Sequence, residues 1–220
     1  MDAERALLAM VLADSRFPAG AHAHSLGLEQ AVADGLGAGD VPAFAAARLR
    51  LVAEADARVA VAARRGDVPL ADLDEEWGAR CPSPVLREAA RRLGAQLLRS
   101  AATVWDDPRI PAYRAASRAT PRPVALGVVA AVAGLDDEAV ALLALYDDAA
   151  TVTSAALKLL PLDPAVTTRW LAELAPAMAL AARAVAADRR PVAAQPAPAA
   201  VALELAAAVH QQHKERLFAS

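Results

Sequence analysis

Four histidines are the side chains of this sequence best suited to metal chemistry. His22 and His24 are separated by one residue near the start, and His210 and His213 lie three positions apart near the end. Imidazole binds divalent transition metals, and side chains three positions apart share one face of a helix. Neither pair has a cysteine or carboxylate at a fixed ligand spacing. We therefore predict structural or interface roles for the histidines, with no resident metal and no cofactor.

Ser25 directly follows His24, a pairing that suggests nucleophilic catalysis. Adjacency in sequence does not bring a serine hydroxyl and an imidazole into a catalytic triad, and the chain has no Gly-x-Ser-x-Gly elbow. The Gly-x-x-x-x-Gly-Lys-Ser/Thr phosphate loop is also absent from the sequence, so the chain is not itself a P-loop GTPase. We predict that the protein is not an enzyme.

Residues 17–29 are a compact segment that differs from the alanine-rich sequence around it. Pro18 restricts its own backbone, and Gly20 allows a positive φ or a close approach of another backbone. Ser25 is the predicted N-cap of the helix that follows. Gly27 in the first turn of that helix costs about 1 kcal/mol relative to alanine, which indicates that another helix or backbone passes close to it.

Composition limits the class of protein. The chain has 220 residues, with 23 Lys and Arg against 26 Asp and Glu, so no basic excess favours nucleic acid as a partner. A lone cysteine, Cys81, fits a reducing compartment. The acidic start is wrong for a secretory signal, and the longest strongly apolar run, 123–135, is too short to span a bilayer. We expect a single cytoplasmic domain, residues 1–220, with no membrane contact.

The apolar periodicity is helical throughout, and no alternating strand pattern occurs. The sequence therefore predicts an all-α bundle of about eight to ten helices without a β-sheet. Asp40, Ser83, Asp136 and Asp163 are predicted N-caps, and Gly66 and Gly134 are predicted helix ends. The predicted helices cover about 2–13, 42–65, 72–77, 84–105, 112–118, 124–133, 136–160, the segment from 164, and 199–213.

Two polar features interrupt this apolar pattern. Asp147 and Asp148 lie in the middle of an apolar helix, where an unpaired carboxylate would be costly to bury. We predict that they pair at a protein interface, and the alternative is that they are simply exposed to water. Arg216, Leu217 and Phe218 follow the last helix and have the composition of an interface anchor. We predict that residues 199–220 form a docking tail, and that removal of 216–220 leaves the fold intact. The alternative is that Leu217 and Phe218 pack on this chain's own core.

The spacing Pro-x-Gly-x-x-x-His-Ser-x-Gly-Leu-Glu, from Pro18 to Glu29, resembles the N-terminal signature of the UreF family of urease accessory proteins. Near the other end, His210 followed by Arg-Leu-Phe-x-Ser at 216–220 is similar to a second family motif. Two central motifs depart from the family pattern. Arg122 replaces the histidine of His-Pro-x-x-x-Gly, and Asp163-Pro164 replaces the Gly-Gln after Pro-Leu.

The resemblance implies a non-catalytic scaffold for urease maturation. It implies a homodimer that bridges the accessory protein UreD (also called UreH) and the GTPase UreG, regulates GTP hydrolysis, and assists nickel delivery into apo-urease. The residues expected to bind partners all lie on the two motifs: Pro18, Gly20, His24, Ser25, Gly27, Glu29, His210, Arg216, Leu217 and Phe218. Two other functions remain open, namely a free-standing histidine-based nickel carrier and an unrelated alanine-rich interaction module.

Overall fold

The computed structural model describes residues 3–20, 23–116, 120–212 and 216–219. These residues form an all-α bundle of ten helices without a strand, which confirms the predicted fold class. One of the ten is a long rod in which two α-helical segments are joined by a π-helical turn, and these two segments are numbered separately. The helices are α1 (Ala3–Ala13), α2 (Leu28–Ala33), α3 (Val41–Arg48), α4 (Glu54–Arg65), α5 (Leu70–Arg80), α6 (Pro84–Val104), α7 (Arg109–Ala116), α8 (Arg122–Val132), α9 (Asp137–Leu159), α10 (Pro164–Ala187) and α11 (Val201–His210).

The core is built around α9, which packs against α10 and α4, while α8 crosses α4 on another side. Fully buried residues of these helices include Leu145, Val152 and Val129. Gly127 lies where α8 crosses α4, and a Cβ there would be only 2.2 Å from the carbonyl oxygen of Ala60. The two helix backbones are therefore in contact because position 127 has no side chain.

Local signals set most helix boundaries as predicted. Asp136 Oδ1 accepts from the Ala139 amide at 2.9 Å, and Asp163 Oδ1 accepts from Ala165 at 2.8 Å. Ser83 caps α6, and Gly66 ends α4 with a positive φ of 73°. Asp40 is different, because its carboxylate accepts from the Gly37 amide at 3.0 Å and caps the short 3₁₀ turn before α3.

Three predicted helices have different bounds in the structure. The helix predicted at 112–118 is α7, which begins at Arg109 and is described to Ala116, and residues 117 and 118 lie outside the described part. The short acidic helix predicted at 72–77 is part of α5, which spans Leu70–Arg80. The last helix, predicted to reach residue 213, ends at His210, and residue 213 lies outside the described part. The rod formed by α3 and α4 contains the π-helical turn Leu49–Ala53, which no local sequence signal predicted.

By length and composition alone, α9 and α10 could each cross a bilayer. Of the apolar 18-residue window in each helix, 61% is buried inside the bundle in α9 and 28% in α10. Core helices of soluble proteins meet the same criteria, so these two helices are weak evidence for a membrane. Both are longer than the run at 123–135, so that run is not the longest apolar segment of the chain.

Candidate partner-docking site

The N-terminal signature begins against helix α6. The Pro18 carbonyl oxygen accepts hydrogen bonds from Gln96 Nε2 at 2.9 Å and from Ser100 Oγ at 2.7 Å. Gly20 has a φ of 82°, and a Cβ there would lie 3.3 Å from Leu93 Cδ2. A left-handed backbone that also faces a side chain at this distance favours glycine. The predicted need for glycine at position 20 is therefore confirmed.

The middle of the signature is buried. His24 and Ser25 have exposed fractions of 6% and 0%, so neither is on the surface of the isolated chain. The predicted N-cap at Ser25 is wrong, because α2 begins at Leu28 and Gly27 occupies the N-cap position with a φ of 90°. This left-handed φ favours glycine at position 27. A Cβ on Gly27 would meet only a Leu203 methyl, at an ordinary 3.5 Å, so no backbone passes as close as predicted.

Glu29 joins the signature to the C-terminal tail. Its carboxylate lies 2.6 Å from His210 Nε2 and accepts from the backbone amides of Leu217 at 2.7 Å and Phe218 at 3.1 Å. The amide of Ala219 also donates to the Ala23 carbonyl, at 2.8 Å. Burial opposes the charged form of Glu29, but the Leu217 amide, the His210 ring and the Phe218 amide outweigh it. Its pKa is therefore lowered from the ordinary 4.5.

The three tail residues have different environments. The Phe218 side chain is 4% exposed and belongs to the main core, with Lys158 Nζ 5.1 Å from the centre of its ring. Leu217 is 60% exposed, and Arg216 is exposed as well. Phe218 therefore packs on the chain's own core, as the alternative prediction has it. Leu217, for which the same alternative was open, is exposed, as is Arg216.

Helix α11, which precedes the tail, has an exposed apolar stripe. Val201, Leu205 and Val209 are spaced by four residues on one helix face, with exposed fractions of 61%, 63% and 46%. We call these three residues, together with Arg216 and Leu217, the C-terminal face. A group of exposed apolar side chains on one helix face, such as Val201, Leu205 and Val209, is typical of interaction sites on soluble proteins. His22 and His213, the outer members of the two histidine pairs, lie outside the described residues.

Comparison with known proteins identifies the family. A family model for UreF matches residues 20–175. Urease accessory protein UreF of Mycobacterium bovis and that of Mycobacterium tuberculosis are each 40% identical to this chain over 187 residues, which is 81% of this chain and 86% of each relative. UreF of Mycobacterium sp. strain JLS is 37% identical over 216 residues, covering 96% of this chain and 97% of the relative. The chain belongs to the UreF family of urease accessory proteins.

The two departures from the UreF family pattern have structural partners within the chain. Arg122, in place of the family's histidine, pairs with Asp147, at 3.0 Å through Nε and 2.8 Å through Nη2. Asp163 and Pro164, in place of Gly-Gln, are the N-cap and the first residue of α10. The Arg122 departure therefore connects the start of α8 to the middle of α9, and the Asp163-Pro164 departure caps α10.

The acidic pair of α9 is satisfied inside the chain, so the predicted interface pairing is wrong. Asp148 makes two hydrogen bonds with the buried Arg48, at 2.6 Å to Nη2 and 3.1 Å to Nε. Asp147 pairs with Arg122. Arg48 also donates from Nη1 to the carbonyl oxygen of Leu26 at 3.0 Å. Leu26 itself has a positive φ of 54°. The Arg48–Asp148 pair thus connects the UreF signature loop to the centre of the bundle.

A cavity of about 170 Å³ lies beneath the signature loop. Its walls come from the signature loop, the rod of α3, the π-helical turn and α4, and helices α5, α6, α8, α9 and α11, and most of the lining is apolar. Asp56 and Trp77 meet at this cavity, where the indole Nε1 donates to Asp56 Oδ1 at 2.8 Å. The sequence analysis missed Arg48, Asp56 and Trp77 as a group, because the π-helical turn that aligns the first two gives no sequence signal.

Proposed function

We propose that this chain is a non-catalytic scaffold in urease maturation, acting in the cytoplasm as a homodimer. In this role it bridges UreD and the GTPase UreG, regulates GTP hydrolysis by UreG, and assists nickel delivery into apo-urease. The single observation that carries the proposal is the extent of similarity to proteins named urease accessory protein UreF, which reaches 96% of the chain. The relatives are named accessory proteins, and this name favours a role without catalysis.

The C-terminal face is the surface that we propose for UreD. Its leucines and valines are exposed, and an exposed arginine beside large apolar residues is a common composition of interface hot spots. The signature holds this face in place, because Glu29 accepts hydrogen bonds from the backbone amides of Leu217 and Phe218. In this proposal, Arg216 and Leu217 contact the partner, and Phe218 anchors the tail.

Burial of Phe218 changes the experiment that tests the tail. Removal of residues 216–220 would take a buried aromatic side chain out of the core, and such a loss costs roughly 3–5 kcal/mol. The truncated chain would therefore lose stability together with any binding, contrary to the sequence-based expectation of an intact fold. A substitution at an exposed position separates the two effects.

The test is co-purification of UreD with the full-length chain and two leucine variants. Leu217→Ser removes the large apolar side chain from the C-terminal face without adding a charge beside Glu29, and Leu180→Ser is the matched control, because Leu180 is 65% exposed on α10. We expect both variants to keep the wild-type melting temperature, and only Leu217→Ser to lose UreD. Retention of UreD by Leu217→Ser, or equal loss in both variants, would contradict docking at this face.

The homodimer and the effect on UreG are tested separately. Large apolar side chains are also exposed on α1, where Leu7 and Met10 have exposed fractions of 62% and 66%. We expect light scattering at micromolar concentration to show a dimer or an insoluble chain, and a clean monomer without partners would count against this part. We further expect the rate of GTP hydrolysis by purified UreG to change when the complex of this chain with UreD is added.

A further inference from the structure

Asp56 and Trp77 form a buried polar contact that the proposed function does not use. Trp77 is 4% exposed, and its Nε1–H donates to Asp56 Oδ1 at 2.8 Å. Asp56 is partly buried, and it lines the cavity. Within the part of the chain that the structure describes, the Asp56 carboxyl has no ion-pair partner. A carboxyl in this position is held by a neutral donor and surrounded largely by apolar side chains.

The π-helical turn Leu49–Ala53 explains why Asp56 faces the cavity together with Arg48. In a regular α-helix, residues eight apart differ in direction by about 80°, because each residue turns the helix by about 100°. A π turn absorbs roughly one extra residue, which reduces that difference to about 20°. The turn therefore puts the buried Arg48 cation and the partly buried Asp56 carboxyl on one face of the rod, beside the same cavity.

Several of the surrounding helices contribute charged groups to the cavity lining, whereas α6 contributes only apolar side chains. Arg48 is occupied by Asp148, and Arg80 by Glu76 and the Val192 carbonyl. Arg122 uses Nε and Nη2 for Asp147, but its buried Nη1 has no hydrogen-bond partner among the described residues. His24, Cys81 and Glu204 complete the titratable lining. The guanidinium as a whole is partly buried, with the Arg122 side chain 16% exposed, but an unpaired buried donor on it requires an explanation, since buried polar groups are nearly always satisfied.

The environment of Asp56 places its proton equilibrium near neutrality. Burial is the largest influence and raises the pKa of Asp56 to about 7, against the hydrogen bond from Trp77, which lowers it. The negative charge of Asp148 raises the pKa further, and the positive charges of Arg48 and Arg122 lower it. The cavity therefore holds a mostly neutral carboxyl below pH 7 and a carboxylate above it.

We propose that Asp56 and Arg122 are the two halves of a proton-controlled bridge across the cavity. When Asp56 is neutral, it is held by Trp77 alone and the cavity stays open. When its proton passes to solvent, the carboxylate keeps the Trp77 hydrogen bond and recruits Arg122 Nη1, so that one guanidinium joins Asp147 and Asp56. The bridge links α4, α5, α8 and α9 and closes the cavity beneath the signature loop.

The experiment follows the indole N–H signals of the full-length chain by ¹⁵N-edited NMR from about pH 5.5 to about pH 8.5, a range that spans the Asp56 titration. The chain has three tryptophans, and Trp77→Phe assigns the signal of Trp77. We expect that signal to titrate with a midpoint near 7 and to become independent of pH in Asp56→Asn. A wild-type signal that does not titrate would overturn the proposal.

Arg122 variants test the second half of the bridge. Loss of the cation in Arg122→Gln should move the midpoint upward by about one pH unit, whereas Arg122→Lys, which keeps the charge, should move it less. Arg92→Gln is the control, because Arg92 is an exposed arginine of α6 with a side chain 60% exposed. An unchanged or lower midpoint in Arg122→Gln would overturn the bridge.

A measurement on the wild type covers the case in which Arg122→Gln does not fold. After correction for intrinsic base catalysis, hydrogen exchange of the Trp77 indole should slow above the midpoint, because the closed cavity excludes water. Exchange that is unchanged or faster above the midpoint would contradict the bridge.

Discussion

Glu29 Oε2 lies 2.6 Å from His210 Nε2, a contact between residues 181 positions apart in the chain. The same carboxylate accepts from two backbone amides of the tail, so one side chain of the signature holds the last helix and the segment after it. The two motifs that resemble the UreF family at opposite ends of the sequence are therefore one structural unit. This unit explains why a glutamate, rather than any polar residue, suits position 29, because three donors converge on it.

Glu29→Gln should weaken this unit. The amide that replaces the carboxylate has one acceptor oxygen for three donors and loses the charge assistance, which we expect to cost about 1–3 kcal/mol in the free energy of unfolding. Limited proteolysis should then cut the tail faster than in the wild type. Glu173→Gln is the matched control, since Glu173 makes only an exposed pair with Arg169 at 3.6 Å. Equal stability in the two variants would contradict the anchoring role.

The same contact predicts a loss of stability in acid. The folded-state pKa of Glu29 is lowered from 4.5, so the unfolded chain binds the proton more tightly. The stabilisation is fully present above pH 4.5 and is lost as the pH falls through the lower, folded-state pKa. Urea unfolding of wild type and Glu29→Gln should give a stability difference that shrinks as the pH falls below 4.5. A constant difference would mean that Glu29 is not the titrating group.

Signals confined to a few neighbouring residues predicted the helices and most caps. Ser83, Asp136 and Asp163 cap their helices because each cap depends only on the next turn of chain. The Glu29 contact and the π-helical turn depend on packing between distant segments, so no local pattern indicated them. For the same reason the sequence identified Asp147 and Asp148 as unusual but did not supply their partners.

Removal of Asp148 should be strongly destabilising. Arg48 and Asp148 have side chains 7% and 11% exposed, and loss of one member leaves a buried charge, at a cost of roughly 3–5 kcal/mol. We expect this loss for Asp148→Ala in urea unfolding. Asp14→Ala is the control, because Asp14 pairs with an arginine that is 89% exposed, and surface pairs contribute about 1 kcal/mol or less. The double variant Arg48→Met with Asp148→Leu should recover part of the loss, and no recovery would contradict this account.

Gly127 should tolerate no side chain. An added Cβ would lie 2.2 Å from the Ala60 carbonyl oxygen and 2.6 Å from the Ala63 Cβ, so α8 and α4 would have to separate. We expect Gly127→Ala to destabilise the chain by about 1–3 kcal/mol or more, as overpacked cores do. Gly78→Ala is the matched control within a helix, because nothing lies within 4 Å of its added Cβ. It should stabilise the chain by up to about 1 kcal/mol, and equal effects of the two substitutions would contradict the close helix crossing.

The isolated chain should have no tight nickel site. Within the described ranges, no group of three His, Cys, Asp or Glu side chains is arranged to hold a metal ion. His210 is buried and its Nε2 contacts Glu29, so using that nitrogen as a ligand would break the Glu29–His210 contact. A lone imidazole without supporting ligands binds a divalent ion weakly. Calorimetric titration of nickel into the chain should show no stoichiometric submicromolar site. Such a site, lost when His22 and His24 are both changed to alanine, would instead support a nickel carrier that acts without an assembled complex.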